Sequence, residues 1–281
     1  MTLRTILADE IIKTVRQMCI DANTVLPCDV YQSICAACKT EVHPIGRNVL
    51  EKLTVNADLA KEERIPICQD TGYAVFFVEV GQEVSVDGDL TDAINEGVRQ
   101  GYKDGYLRKS VVADPLDRVN TGDNTPAIIH YDIVAGDRLN ITFTPKGFGS
   151  ENMSKIVMLS PSAGYEGVVQ AVLDAVKQAG PNPCPPIVVG VCVGGDFEQA
   201  AKLSKKALTL PIGTVPEKSL YRRMQQELLQ KINETNIGPA GLGGKTTALW
   251  VNIIDHPTHI AGLPVAVNIC CHVCRHVSAT L

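Results

Sequence analysis

Apolar positions along the chain recur first at helical spacing and then in dense strand-like runs, and that alternation predicts the elements. Between residues 3 and about 19, Leu7, Ile11, Ile12, Val15 and Met18 fall at helical intervals and predict a helix. Two further helices are expected over about 29–40 and 46–61, the second entered after Pro44. The texture then switches. Ala74-Val75-Phe76-Phe77-Val78-Glu79-Val80 is a run that suits a buried strand. A helix is predicted over 90–101, with Thr91 as its N-cap. Residues 128–134 and 139–144 read as strands joined by the turn signal Ala135-Gly136-Asp137. Helix 164–179, strand 187–193, helices 197–208 and 217–233, and strands 248–254 and 264–270 follow. No repeat, low-complexity tract or linker interrupts them. The expected class is a mixed α/β (α+β) fold, one domain over 1–281 with room for two α/β subdomains.

Composition narrows the function classes. Hydrophobic residues make up 45% of the chain, enough for an ordinary core, and the formal net charge is only −5. Lys and Arg are scattered, which argues against nucleic acid or an anionic membrane as partner, while a small anion needs only two or three local cations. The N-terminus meets acidic residues before any long apolar stretch, so it does not read as a secretory signal. No run approaches the roughly 18 apolar residues of a membrane span. A soluble, cytoplasmic protein is expected.

Ten cysteines is a high count, and in a reducing compartment they are not expected to pair as disulfides. Cys68 lies in Ile65-Pro-Ile-Cys-Gln-Asp-Thr-Gly72, a polar turn before the first apolar strand. Cys184 lies in Pro181-Asn-Pro-Cys-Pro-Pro186, again before a strand, where the flanking prolines fix the backbone. Cys271 ends a strand and precedes His272. Loops at strand ends are where scaffolds present chemistry, and three thiols placed there could converge on a cluster with one iron left open. The alternative for any single cysteine is a buried small hydrophobe. Cys19, Cys35, Cys38 and Cys192 fall inside predicted helices and a strand and read that way. Cys35-Ala-Ala-Cys38 has no second pair and no βαβ context, but Cys271-His-Val-Cys274 leaves a zinc site open on spacing alone.

The segments around these cysteines resemble the α-type subunit of class I (iron–sulfur) fumarate hydratases and the related L(+)-tartrate dehydratases. The blocks that carry the resemblance are Pro66–Gly72, Asn124–Ala127, Lys146–Asn152, Gly238–Thr247 and Pro257–Asn268, in family order along nearly the whole chain. The resemblance implies an iron–sulfur hydro-lyase α-subunit fold, with mixed sheets flanked by helices, and a [4Fe–4S] cluster on Cys68, Cys184 and Cys271. For the third ligand the chain offers Cys270, Cys271 and Cys274. Cys271 fits the motif, and strand alternation should turn Cys270 to the opposite face.

The implied reaction is reversible hydration of fumarate to L-malate, with L(+)-tartrate dehydration as the alternative. The cluster's open iron would act as a Lewis acid, and a positioned base would take the C3 proton. By resemblance Gln69 and Asp70 line the substrate pocket, Arg108 clamps a carboxylate, Gly149 lets backbone approach substrate, and His259 donates to the substrate hydroxyl or carboxylate. Asp70 and His259 are the catalytic candidates. Arg118 competes with Arg108, and an Asp before Thr-Gly is often only a turn residue. Gly244-Lys245-Thr246 looks like the end of a phosphate loop, but Pro239 stands where the first glycine is required and a helix precedes it. Likewise Val193-Gly-Gly-Asp196 reads as tight strand-to-helix packing. The resemblance ends where the second part of single-chain members would begin. The chain is therefore expected to be one subunit of a hetero-oligomer, with the base supplied by a β subunit. A zinc-binding scaffold and an electron-carrying cluster protein are the competing classes.

Overall fold

The computed structural model describes residues 3–281. In chain order the first elements are β1 (Arg4–Leu7), α1 (Ala8–Thr24), α2 (Cys28–Thr40), α3 (Pro44–Glu63), β2 (Tyr73–Gly81) and β3 (Val84–Asp87). Next come α4 (Leu90–Asp104), β4 (Ile128–Val134), β5 (Leu139–Lys146), α5 (Phe148–Glu151), β6 (Lys155–Leu159) and α6 (Gly164–Ala179). The chain closes with β7 (Ile187–Gly195), α7 (Phe197–Ala207), α8 (Ser219–Asn233), β8 (Ala248–Thr258), β9 (Leu263–Cys270) and β10 (Val277–Thr280). This is the mixed α/β class that the pattern predicts. The chain divides into two units, one of residues 1–27, 57–148 and 275–281, the other of 28–56 and 149–274.

The first unit holds a four-stranded sheet in the order β10-β5-β2-β4, and a parallel pair of β1 and β3. The central strand β2 pairs antiparallel with β5 and parallel with β4. Strands 128–134 and 139–146 are therefore neighbours of β2 on opposite sides, not a hairpin, although a turn does join them. Alternate residues of β2, Ala74, Phe76 and Val78, share one buried cluster with Ile11, Val15, Met18 and Cys19 of α1 and Ile94, Val98 and Tyr102 of α4. Within that cluster the Phe76 and Phe143 rings pack tilted against each other, their centroids 4.9 Å apart. The two helices approach closely because α4 carries Gly97 and Gly101, where a Cβ would lie 2.6 Å from Val15 Cβ and 2.7 Å from Cys19 Cβ. The cap of α4 is Asp89, whose side chain accepts from Asp92 N–H; Thr91, the expected cap, lies inside the helix.

The second unit is built on a sheet of order β6-β9-β7-β8. Its central strand, Ile-Val-Val-Gly-Val-Cys-Val, is buried throughout, as a strand covered on both faces requires. Ile187, Val189, Val191 and Val193 face Val168, Val172 and Val176 of α6 and Met224, Leu228 and Ile232 of α8. Cys192 points the other way, against Ala200 of α7 and Ala266 of β9. Asp196 caps α7 by accepting from Gln199 N–H, so the Gly-Gly-Asp segment does serve strand-to-helix packing. No helix among the described residues is long and apolar enough to cross a membrane.

Candidate functional site

In the first unit the loop carrying Cys68 is fastened from every side. Ile67 N–H donates to Asn23 O at 2.9 Å. Both carboxylate oxygens of Asp70 accept backbone N–H groups, from Gly72 at 3.0 Å and Phe148 at 2.9 Å. The Thr71 hydroxyl accepts from Arg108 N–H at 2.9 Å and donates to Arg108 O at 3.2 Å. The buried Tyr102 hydroxyl donates to the carbonyls of Thr71 and Gly72, each at 2.9 Å. Burial pushes that phenol well above its ordinary pKa, with nearby Cys19 adding to the rise and Arg275 opposing it. Asn124 Nδ2 donates to Gly72 O at 3.3 Å, and its Oδ1 accepts from Ser110 N–H at 2.7 Å. Gly72 itself adopts φ +80, and a Cβ there would lie 2.7 Å from Lys146 N. Blocks far apart in sequence thus meet at one turn.

The side chains expected at this turn are placed as follows. Cys68 is half-buried, and its thiol donates to Gln69 Oε1 at 3.5 Å. Gln69 and Arg108 are exposed. Asp70 has its carboxylate committed to loop closure, so the structure gives it the turn role as well as a place beside Cys68. Arg118 is exposed, and its guanidinium donates to Pro115 O at 3.4 Å inside its own loop.

In the second unit the structure brings the Cys184 and Cys271 segments together. His272 Nδ1, next to Cys271, donates to Cys184 O at 3.0 Å, which fixes that ring's tautomer. Cys184 adopts φ +53, uncommon for a residue with a Cβ, in a turn closed by its N–H to Pro181 O at 3.1 Å. The loop 238–247 supports this turn, with Ala240 N–H donating to Pro185 O at 2.7 Å. That loop is in turn held by Glu41. The buried carboxylate accepts from Lys245 N–H at 2.9 Å, Thr246 N–H at 3.0 Å and His43 N–H at 3.0 Å. Burial alone would raise the Glu41 pKa, but these donors hold it below the ordinary value. The Gly-Gly-Lys-Thr segment is thus an anion cradle whose anion is a side chain of the same chain. Nothing around Glu41 in the sequence signals this.

Gly149 is exposed, and a Cβ there would meet only Asn182 O, at 3.9 Å, so the protein itself leaves open space at that position. His259 sits exposed in the β8–β9 turn, where its Nδ1 accepts from Ala261 N–H at 3.2 Å.

The other thiols separate from these three. Cys19 and Cys192 are fully buried; burial pushes both upward, the second to about 12. Cys270 and Cys274 are also buried, and the Cys274 thiol donates to Leu208 O at 3.5 Å. Cys271 is half-buried, and Cys184 and Cys28 are exposed. Cys35 and Cys38 are only half-buried on α2, less enclosed than a packing role suggests. Among the described residues, no group of three or more His, Cys, Asp or Glu side chains is placed to hold a metal ion. A cluster bound one iron to each thiolate does not need such a convergence on a single point.

Site and fold together define a class. The family model for fumarate hydratase (Fumerase) matches residues 12–280, and the chain belongs to that family. The chain is 40% identical over 258 residues to the Methanocaldococcus jannaschii protein named "Putative L(+)-tartrate dehydratase subunit alpha", covering 89% of this chain and 90% of that one. It is 32% identical over 253 residues to the L(+)-tartrate dehydratase subunit alpha of Escherichia coli K12, covering 89% of this chain and 83% of that one. Family and relatives place the chain among the hydro-lyases.

Thiolates are the ordinary ligands of iron–sulfur groups, and each unit carries candidate thiols of that kind, Cys68 in the first and Cys184 and Cys271 in the second. Three accessible or half-buried thiols stand in backbone-fixed loops. Beside the Cys68 loop, Arg275 is buried, and its Nε and Nη1 have no hydrogen-bond partner among the described residues.

Proposed function

We propose that this chain is the α subunit of a cytoplasmic [4Fe–4S]-dependent hydro-lyase that reversibly hydrates fumarate to L-malate. Cys68, Cys184 and Cys271 are the proposed thiolate ligands. The observation that carries the reading is the His272–Cys184 hydrogen bond, which ties two of the three proposed ligand segments together. When bound, the cluster supplies a Lewis acid for the substrate's hydroxyl and a neighbouring carboxylate.

The chain's own residues bind and orient. Arg108 presents a planar fork suited to a carboxylate, on a backbone locked to Thr71. Gln69 offers an amide N–H to the second carboxylate. The exposed Gly149 of α5 leaves room for substrate, and His259 donates to a substrate oxygen. Asp70 closes the Cys68 turn and, lining the substrate pocket as a catalytic residue, orients a polar partner there. The base that removes the C3 proton comes from a β subunit, an assembly that the subunit names of the relatives support. L(+)-tartrate dehydration is the second reading, favoured by the names of those same relatives. Anaerobic co-expression with a β-type subunit, assayed on malate, fumarate and tartrate, tests both. Turnover of none of the three by a cluster-loaded complex contradicts the proposal.

A further inference from the structure

Arg275 offers chemistry that the cysteine loops leave unused. Its side chain is 3% exposed, and Nη2 alone is engaged, donating to Asp70 O at 2.6 Å. Nε and Nη1 are buried without an acceptor. Among the described residues no carboxylate forms an ion pair with it. The Asp70 carboxylate cannot turn to it without releasing Gly72 and Phe148. Burying a guanidinium's charge without a counter-charge is strongly unfavourable. A residue serving only to hold the Asp70 carbonyl would need one donor and could leave the others in water.

We infer that Arg275 receives an anion at the Cys68 turn, donating through Nε and Nη1. Two sources share the required chemistry, the thiolate-ligated cluster itself or a carboxylate of the dicarboxylate substrate. The inference rests on the proposed reading of the site. It adds a positioning residue that holds the Cys68 loop through Asp70 and neutralises charge gathered there.

The test uses the full chain, wild type, Arg275→Met and Arg275→Lys, each purified anaerobically, without cluster and after loading with iron and sulfide. Melting temperature and the reduction potential of the loaded cluster are read, and fumarate and malate are titrated against both forms. In the cluster arm, loading stabilises the wild type more than Arg275→Met, by about 3–6 °C for one or two charge-assisted bonds. The cluster potential also falls in the Met variant, and Lys partly restores both. In the substrate arm, cluster properties are unchanged but dicarboxylate no longer raises the melting temperature of the Met variant. Equal behaviour of wild type and variant in both arms overturns the inference and leaves Arg275 a structural side chain. A wild type that takes up no cluster contradicts the proposed function instead. The titration of the cluster-free form then decides Arg275 alone, and a dicarboxylate shift that does not depend on Arg275 overturns it.

Discussion

Replacing Glu41 with alanine should destabilise the second unit far more than its distance in sequence from any motif suggests. The carboxylate is fully buried and accepts three backbone N–H groups, of His43, Lys245 and Thr246. A buried donor left unpaired costs about 1–3 kcal/mol, and the three donors here are partly reachable by water. The loss should therefore lie near the lower end of the sum, roughly 3–4 kcal/mol. Glu41→Gln keeps one acceptor oxygen but turns an NH₂ toward a donor, and should recover less than half of that. Urea unfolding of the anaerobic, reduced protein measures it as a lower midpoint. The sign of the pH dependence follows from the folded-state pKa lying below the ordinary carboxyl value. Stability from this group is complete above the unfolded-state pKa of about 4.3 and is lost as pH falls through the lower, folded one. The gap between wild type and Glu41→Ala should narrow below about pH 4. A variant within about 0.5 kcal/mol of wild type at pH 7, on the order of the scatter for inert surface changes, would refute the reasoning.

Further outcomes follow from single contacts. Gly72→Ala places a Cβ 2.7 Å from Lys146 N on a φ of +80, and should cost about 2–4 kcal/mol in denaturant unfolding. Tyr102→Phe removes the hydroxyl from two carbonyls of the Cys68 turn; a loss of roughly 1–3 kcal/mol and faster Cys68 alkylation are expected. In the cluster-free reduced chain, iodoacetamide with peptide mapping should label Cys28, Cys68, Cys184 and Cys271 well before Cys19 and Cys192. The latter two thiols are buried and pushed upward.

The elements were legible where one period dominates. Helices 164–179 and 197–207 and the buried strands β2, β7 and β9 announce themselves through apolar spacing alone. The short strands β1, β3, β6 and β10 do not, because four or five residues carry too few periods. β1 is moreover continuous with the helical pattern of α1. Strand order was not legible either. Two strands joined by a turn signal were placed on opposite sides of β2, since pairing depends on partners distant in sequence. At the site, the Cys68 and Cys184 loops were visible as turns before apolar strands, and Cys271 as the end of one. The Asp70 contacts to Gly72 and Phe148, the Tyr102 anchor and the Glu41 cradle were not, because each joins groups whose meeting only the folded chain defines. The burial of Arg275, close after the cysteine run, is not legible either, since nothing in its local sequence signals it.

Anaerobic reconstitution with iron and sulfide, followed by absorption and iron counting, tests the central claim most directly. Wild type should take up four irons per chain, the content of the proposed [4Fe–4S] cluster. Cys68→Ser, Cys184→Ser and Cys271→Ser should each lose most of that uptake, while Cys192→Ser and Cys274→Ser should retain it. Full cluster retention by the Cys68 and Cys184 variants would contradict the account.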